Sequence, residues 1–248
     1  MKILVCISHV PDTTSKINFT SDHSAFDSNG IQFVINPNDE FGLTKAVQLK
    51  EAQGGSITVL TVGDASTEPT LRKALAIGAD EAIRVNAEAK DSFQVAAEIA
   101  DVVKNGDYNL IICGKESIDY NGQAVPTMVA AICNLPIVNA CMGLNLDGEE
   151  ATMIREIEGG KETVKASLPV VLGGQKGLVE ENELRIPNMR GIMSARTKPL
   201  QVKEPIGAAP KSSHTHFEKP PAKADVKLVE AGQEKELVQL LHTEAKVI

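Results

Sequence analysis

The sequence predicts an α/β protein: a parallel sheet covered by helices on both faces, extended by a β-meander and finished by a long C-terminal arm. Three observations predict it. Short apolar, β-branched runs alternate with segments of helical period through the first half of the chain. Between Leu144 and Ala166 the pattern changes to alternating segments separated by Asp147-Gly148 and Gly159-Gly160. After Pro199 the chain turns to Pro, Lys, Ala and Ser as far as Asp225, too poor in large apolar residues to fold by itself.

In order, Lys2–Ser8 is a continuous apolar run, suited to a strand buried on both faces. Asp39–Gln53 sets Phe41, Leu43, Ala46, Val47 and Leu49 near helical spacing and stops at Gly54-Gly55. Ser56–Val62 reads as a β-branched strand, Ser66–Ile77 as a helix ending at Gly78, and Glu81–Val85 as a short strand. Asp91–Lys104 is an amphipathic helix, Tyr108–Cys113 a buried strand, and Val125–Cys133 again helical. The meander follows, then a strand at Leu168–Leu172, and finally an amphipathic helix at Glu234–His242. These elements form a three-layer αβα, Rossmann-like domain over residues 1–200, with the meander at about 144–167 and a loop at about 184–198. Residues 201–248 form the arm.

Composition narrows the function. A length of 248 residues, 42% hydrophobic and 23% charged, is ordinary for a globular protein with a substantial core. A formal net charge of -8 and an aromatic content of 3% argue against nucleic acid as a partner, since neither a basic footprint nor a stacking platform is available. Four well-separated cysteines without a CxxC pair fit a reducing compartment. The N-terminus enters a strand without a signal-peptide pattern, and no run reaches a membrane-spanning length, so a cytoplasmic location is expected. No dinucleotide fingerprint, phosphate-binding P-loop, nucleophile elbow or metal-spaced cluster is present, and no nucleophile–base pair suggests hydrolysis.

Parallel sheets bind ligands beyond the carboxyl ends of their strands, which directs attention to the residues after Ser8, Val62 and Cys113. Asn36-Pro37-Asn38-Asp39 stands before a helix, with amides free to receive a base or phosphate; its plainer reading is a capping turn. Gly114-Lys115-Glu116-Ser117-Ile118-Asp119-Tyr120-Asn121-Gly122-Gln123 follows a buried strand, and the glycine permits close approach of a ligand. That segment reads equally as an ordinary strand-to-helix loop. In Met153–Thr163, Arg155 and Glu156 point to opposite sides of one strand; the alternative is a solvated hairpin.

These segments, taken with ALAIGAD, REIEGG and its following ET and LP, and the stretch GIMSARTKPL, resemble the electron transfer flavoprotein beta subunit over nearly the whole chain. The resemblance implies an electron carrier, not an enzyme, paired with an alpha subunit that holds most of an FAD. It implies a second nucleotide here, AMP or a second FAD, against Cys6, Asn36, Pro37, Asn38, Asp39 and Val62, with Gly114 through Ala124 and Val125 cradling its phosphate. Glu156 matches a glutamate near the flavin. Pro187–Ala195 matches a loop that docks on partner dehydrogenases, with Met189 as anchor beside Ile192 and Met193. Implied partners are acyl-CoA-type dehydrogenases and a membrane quinone oxidoreductase. The arm is expected to wrap the alpha subunit. Tyr120-Asn121-Gly122-Gln123-Ala124 departs from the longer acidic stretch of many relatives, and Thr13 and Asn38 replace aromatics. A stress-type nucleotide-binding module, or a nucleotide-dependent ligase or hydrolase, would share the architecture, but the first lacks the meander and arm, and the second wants a glycine-rich loop after the first strand.

Overall fold

The computed structural model describes residues 1–223 and 225–248. In chain order it contains β1 (Lys2–Cys6), β2 (His9–Pro11), β3 (Phe33–Ile35), α1 (Pro37–Gln53), β4 (Ser56–Val62), α2 (Glu68–Ile77), β5 (Glu81–Val85) and α3 (Ser92–Lys104). There follow β6 (Leu110–Gly114), α4 (Val125–Cys133), β7 (Ile137–Asp147), β8 (Glu150–Ile157), β9 (Gly160–Ser167) and β10 (Val170–Gly174). Last come α5 (Met189–Ala195), β11 (Leu200–Lys203) and α6 (Glu234–Leu240).

One nine-stranded sheet of order β11-β5-β4-β1-β6-β10-β7-β8-β9 organises the chain. From β11 to the start of β7 every pairing is parallel; β7–β8 and β8–β9 are antiparallel. Successive side chains of a strand point to opposite faces, and the core divides accordingly. Ile3, Val5, Ile57, Val59, Leu110, Ile112, Val170 and Leu172 pack with Leu43 and Val47 of α1 and Leu71 and Leu75 of α2. Leu4, Cys6, Leu60, Ile111, Cys113 and Val171 pack with Ala96 and Ile99 of α3 and Val129 and Ala130 of α4. Each fully buried aliphatic side chain contributes about 1.5–3 kcal/mol, and the three-layer sandwich follows from strands that are apolar on both faces.

Local chemistry sets the boundaries. Pro37 opens α1, where a missing N–H costs nothing, and Gly54 ends it at φ 75°. Asp91 caps α3 by accepting the Gln94 N–H at 2.8 Å. Asn134, at φ 54°, ends α4 in the left-handed region that asparagine tolerates.

Several elements differ from the sequence reading. Helix α2 starts at Glu68, after a short 3₁₀ turn at Ala65–Thr67 that Asp64 caps. The first strand is shorter than expected: β1 ends at Cys6, and beyond the expected run His9–Pro11 pairs with Phe33–Ile35 in a separate two-stranded ribbon. The meander begins earlier than Leu144, because β7 is a single strand with two partners. Its start pairs with β10 and the rest with β8, the change falling where the register shifts and Ala140 takes φ 54°. Leu200–Lys203, on the expected border of the arm, adds an edge strand beside β5. The final helix stops at Leu240 and continues as one π turn, Leu241–Ala245.

Candidate functional site

The carboxyl ends of β1, β4, β5 and β6 open onto a cavity of about 480 Å³. Its apolar wall includes Ile7, Leu60, Val62, Ala87, Val95 and Ile99. Polar groups rim it: Ser8 and His9 after β1, Thr61, Gly63 and Asp64 at β4, Lys90 and Ser92 after β5, and Ser117 and Gln123 after β6. Gly122 through Pro126 bring the start of α4 to the same rim, placing the Val125 N–H of its first turn close to it.

Asp39 is the brace of this site. It is 2% exposed, and its carboxylate accepts the Ser8 N–H and the Gly114 N–H, each at 2.7 Å. One side chain therefore joins the first turn of α1 to the ends of β1 and β6. Burial pushes its carboxyl up to about 7, against the opposing pull of the bonds from Ser8, Asn36 and Gly114, which favour the anion. Gly114 has no room for a side chain: a Cβ there would lie 2.9 Å from Asn38 Cβ and 3.0 Å from Asn36 Nδ2, and would collide with Asp39.

The asparagines act on the protein itself. Asn36 is fully buried; its Nδ2 donates to the Glu116 carbonyl at 2.9 Å and its Oδ1 accepts the Ile118 N–H at 3.2 Å. Asn38 Nδ2 donates to the same carbonyl at 3.1 Å. The Asn36 side chain makes no cap bond to α1; the Asn36 carbonyl instead accepts the Asp39 and Glu40 N–H groups. The Asn-Pro-Asn segment thus shapes the loop after β6 and presents none of its side chains to the cavity.

Of the expected nucleotide residues, Cys6, Asp39, Val62, Gly114, Glu116, Ser117, Asp119, Tyr120, Gly122, Gln123, Ala124 and Val125 line the cavity. Asn36, Pro37, Asn38, Lys115, Ile118 and Asn121 are not part of its lining; Lys115 uses its N–H on the Gly174 carbonyl, tying β6 to β10. The Cys6 thiol is pushed well up, first by its hydrogen bond with Cys113 and then by burial, so it serves as a small apolar wall residue.

Sequence reasoning passed over the loop after β5, Ala87 through Ser92, although the strand-end rule points to it as much as to the others. It also passed over Ser212 and His214 of the arm, which reach the cavity from far along the chain. Arg84 was missed as well. Only 6% exposed, it binds the Gly63 carbonyl at 3.0 Å, Asn86 Oδ1 at 2.8 Å and Glu68 at 3.1 Å, and so fixes the β4 and β5 ends together.

Glu156 lies on β8, away from this cavity, and accepts the Gln175 Nε2 at 2.6 Å just beyond β10. Arg155 turns to the other side and pairs with Glu162 at 2.5 Å. Gln175 is buried, and among the described residues its Oε1 has no partner, nor has Asn139 Oδ1 on β7. Met189, Ile192 and Met193 form an exposed apolar strip on α5. That helix is pressed against α2 so closely that a Cβ on Gly191 would run into the Ala76 carbonyl, and Arg72 Nη1 donates to the Ala195 and Lys198 carbonyls at 2.7 and 2.8 Å. Among the described residues no cluster of three His, Cys, Asp or Glu side chains is placed to hold a metal ion, and no helix is long and apolar enough to cross a membrane.

Residues 24–206 match the family described as the electron transfer flavoprotein domain. The chain belongs to that family. It is 35% identical, over the full length of both chains, to the electron transfer flavoprotein subunit beta of Bacillus subtilis (strain 168). It is 37% identical to the subunit beta of Syntrophomonas wolfei subsp. wolfei, covering 90% of this chain and 88% of that one. A third relative, from Dictyostelium discoideum, is 30% identical over 83% of this chain and 82% of its own. Electron transfer flavoproteins are electron carriers rather than enzymes.

Proposed function

We propose that this chain, paired with an alpha subunit, carries electrons from flavin dehydrogenases of the acyl-CoA type to a membrane quinone oxidoreductase. In this reading it binds AMP as a structural nucleotide. The single observation that carries the nucleotide assignment is the cavity at the ends of β1, β4, β5 and β6, with an apolar wall on one side and loop amides at the start of α4 on the other. A base wants the first and a phosphate the second. The volume of about 480 Å³ has room for a mononucleotide.

FAD, held by the alpha subunit, supplies the redox chemistry when bound. The contribution of this chain is positional. Gln175 fixes the Glu156 carboxylate at the sheet end, and the unpartnered Gln175 Oε1 is the kind of buried acceptor that an N–H from a second chain or a ligand would complete. The strip formed by Met189, Ile192 and Met193 offers a dehydrogenase an apolar contact mounted on a rigidly packed helix.

Coexpression with the gene for the alpha subunit tests the reading. A yellow heterodimer should be recovered, and mass spectrometry of the denatured complex should find one FAD and one AMP. A colourless single chain free of adenylate would overturn it.

A further inference from the structure

The C-terminal arm does not leave the domain directly. After β11 it runs back across the cavity mouth, held by two carboxylates of α3. Glu98, 2% exposed, accepts the Ile206 N–H at 2.9 Å and the Ala208 N–H at 3.3 Å. Asp91 divides its two oxygens. One caps α3 through Gln94, and the other accepts the Lys211 and Ser212 N–H groups at 2.5 and 2.7 Å and the Ser212 hydroxyl at 3.2 Å.

Past this clasp, His214 faces Tyr120 of the loop after β6, with ring centroids 5.2 Å apart, and both residues line the cavity. The arm is then tied to the long excursion between β2 and β3: Phe217 and His23 exchange two bonds, each of 2.9 Å, and Lys219 Nζ donates to Asn18 at 2.6 Å.

We infer that residues 206–219 are a strap that completes the nucleotide cavity and retains its ligand, with Ser212 and His214 as ligand-facing residues and Asp91 and Glu98 as the clasp. The inference rests on the adenylate reading. The strand-end loops line the cavity together with Ser212 and His214 of this strap. Exchange then requires the arm to lift, which breaks charge-assisted bonds to Asp91 and Glu98. Each such bond corresponds to about 10- to 100-fold in an equilibrium. The strap also limits how the distal arm reaches a partner, because only residues beyond Lys219 are free of these ties to the domain.

The test uses the full-length chain purified with its partner subunit and radiolabelled AMP, chased with excess unlabelled AMP. Asp91→Ser keeps a helix cap, because serine caps as well as aspartate, but its single oxygen cannot serve α3 and the arm together. Glu98→Gln weakens the second anchor away from the cavity. Trypsin cleavage after Lys211 reports strap release independently. Both variants should be cut faster and should exchange AMP at least about tenfold faster than wild type. His214→Ala, an exposed substitution that leaves the clasp intact, should speed exchange without faster cutting, and it keeps the test open if a clasp variant fails to fold. Wild-type protein that retains no AMP would overturn the adenylate reading and this inference with it. Wild-type protein that holds AMP, with unchanged exchange in variants that are cut faster, would overturn the strap alone.

Discussion

Replacing Asp39 with asparagine separates the two things that its carboxylate does. The asparagine side chain can accept one of the two N–H groups now bound, from Ser8 or Gly114, but turns its own NH₂ toward the other. Leaving one buried donor without an acceptor costs about 1–3 kcal/mol. Against this stands the charge. Burial raises the Asp39 carboxyl from 3.8 to about 7, so the folded protein holds a proton that the unfolded chain has released. The stability contributed by that proton is fully present below pH 3.8 and is lost as pH rises through 7.

Between pH 5 and pH 8 the loss for this single site is about 2–3 kcal/mol, from a pKa unit being worth about 1.4 kcal/mol. Asparagine has no such dependence. The variant should therefore be destabilised at pH 5 and should match or exceed wild type at pH 8. The assay is urea denaturation followed by circular dichroism at both pH values and constant ionic strength, with the difference between the two proteins removing every other titrating group. A gap that stays constant from pH 5 to pH 8 would refute the reasoning, since it would mean that burial does not raise the Asp39 carboxyl into that range.

Gly114→Ala places a methyl group against Asp39, Asn38 and Asn36 at once, and Gly114→Val adds more; on the proposed adenylate reading, purified variant should retain far less AMP than wild type, measured by extraction and mass. Met189→Ala removes an exposed side chain, so unfolding should shift by less than about 0.5 kcal/mol while reduction by an acyl-CoA dehydrogenase slows; equal transfer rates would remove α5 from docking. Leu110→Ala empties a fully buried position at the start of β6 and should cost about 2–5 kcal/mol, seen as a lower urea midpoint with an unchanged slope.

The sheet was legible where strands are continuous apolar runs, as in β1, β4 and β6, and where glycines end the helices, as at Gly54 and Gly78. Strands of three residues carry no readable period, which hid β2 and β3. Strand β7 was obscured for another reason: its burial pattern follows two neighbours in turn, one parallel and one antiparallel, so neither rhythm persists. At the site, the strand-end rule found the loops after β1, β4 and β6. It could equally have found Ala87 through Ser92, whereas Ser212 and His214 arrive by a long return of the arm that no local pattern announces. Asn36 and Asn38 illustrate a further limit, because a polar side chain suited to a ligand is equally suited to a neighbouring backbone, and here Glu116 and Ile118 take it.

The place of β10 in the sheet has a consequence for how the chain is made. It lies between β6 and β7, yet it is synthesised after β7, β8 and β9 are complete. Until Val170–Gly174 has left the ribosome, the nascent protein holds two unjoined half-sheets: a parallel group ending in the exposed edge of β6, and a locally paired ribbon of hairpins with no core of its own. Insertion of this one short segment fuses them, and both raw edges vanish in the same event. A ribosome pause just before residue 170 would hold the chain in its most aggregation-prone form, whereas a pause once β10 is free would be harmless.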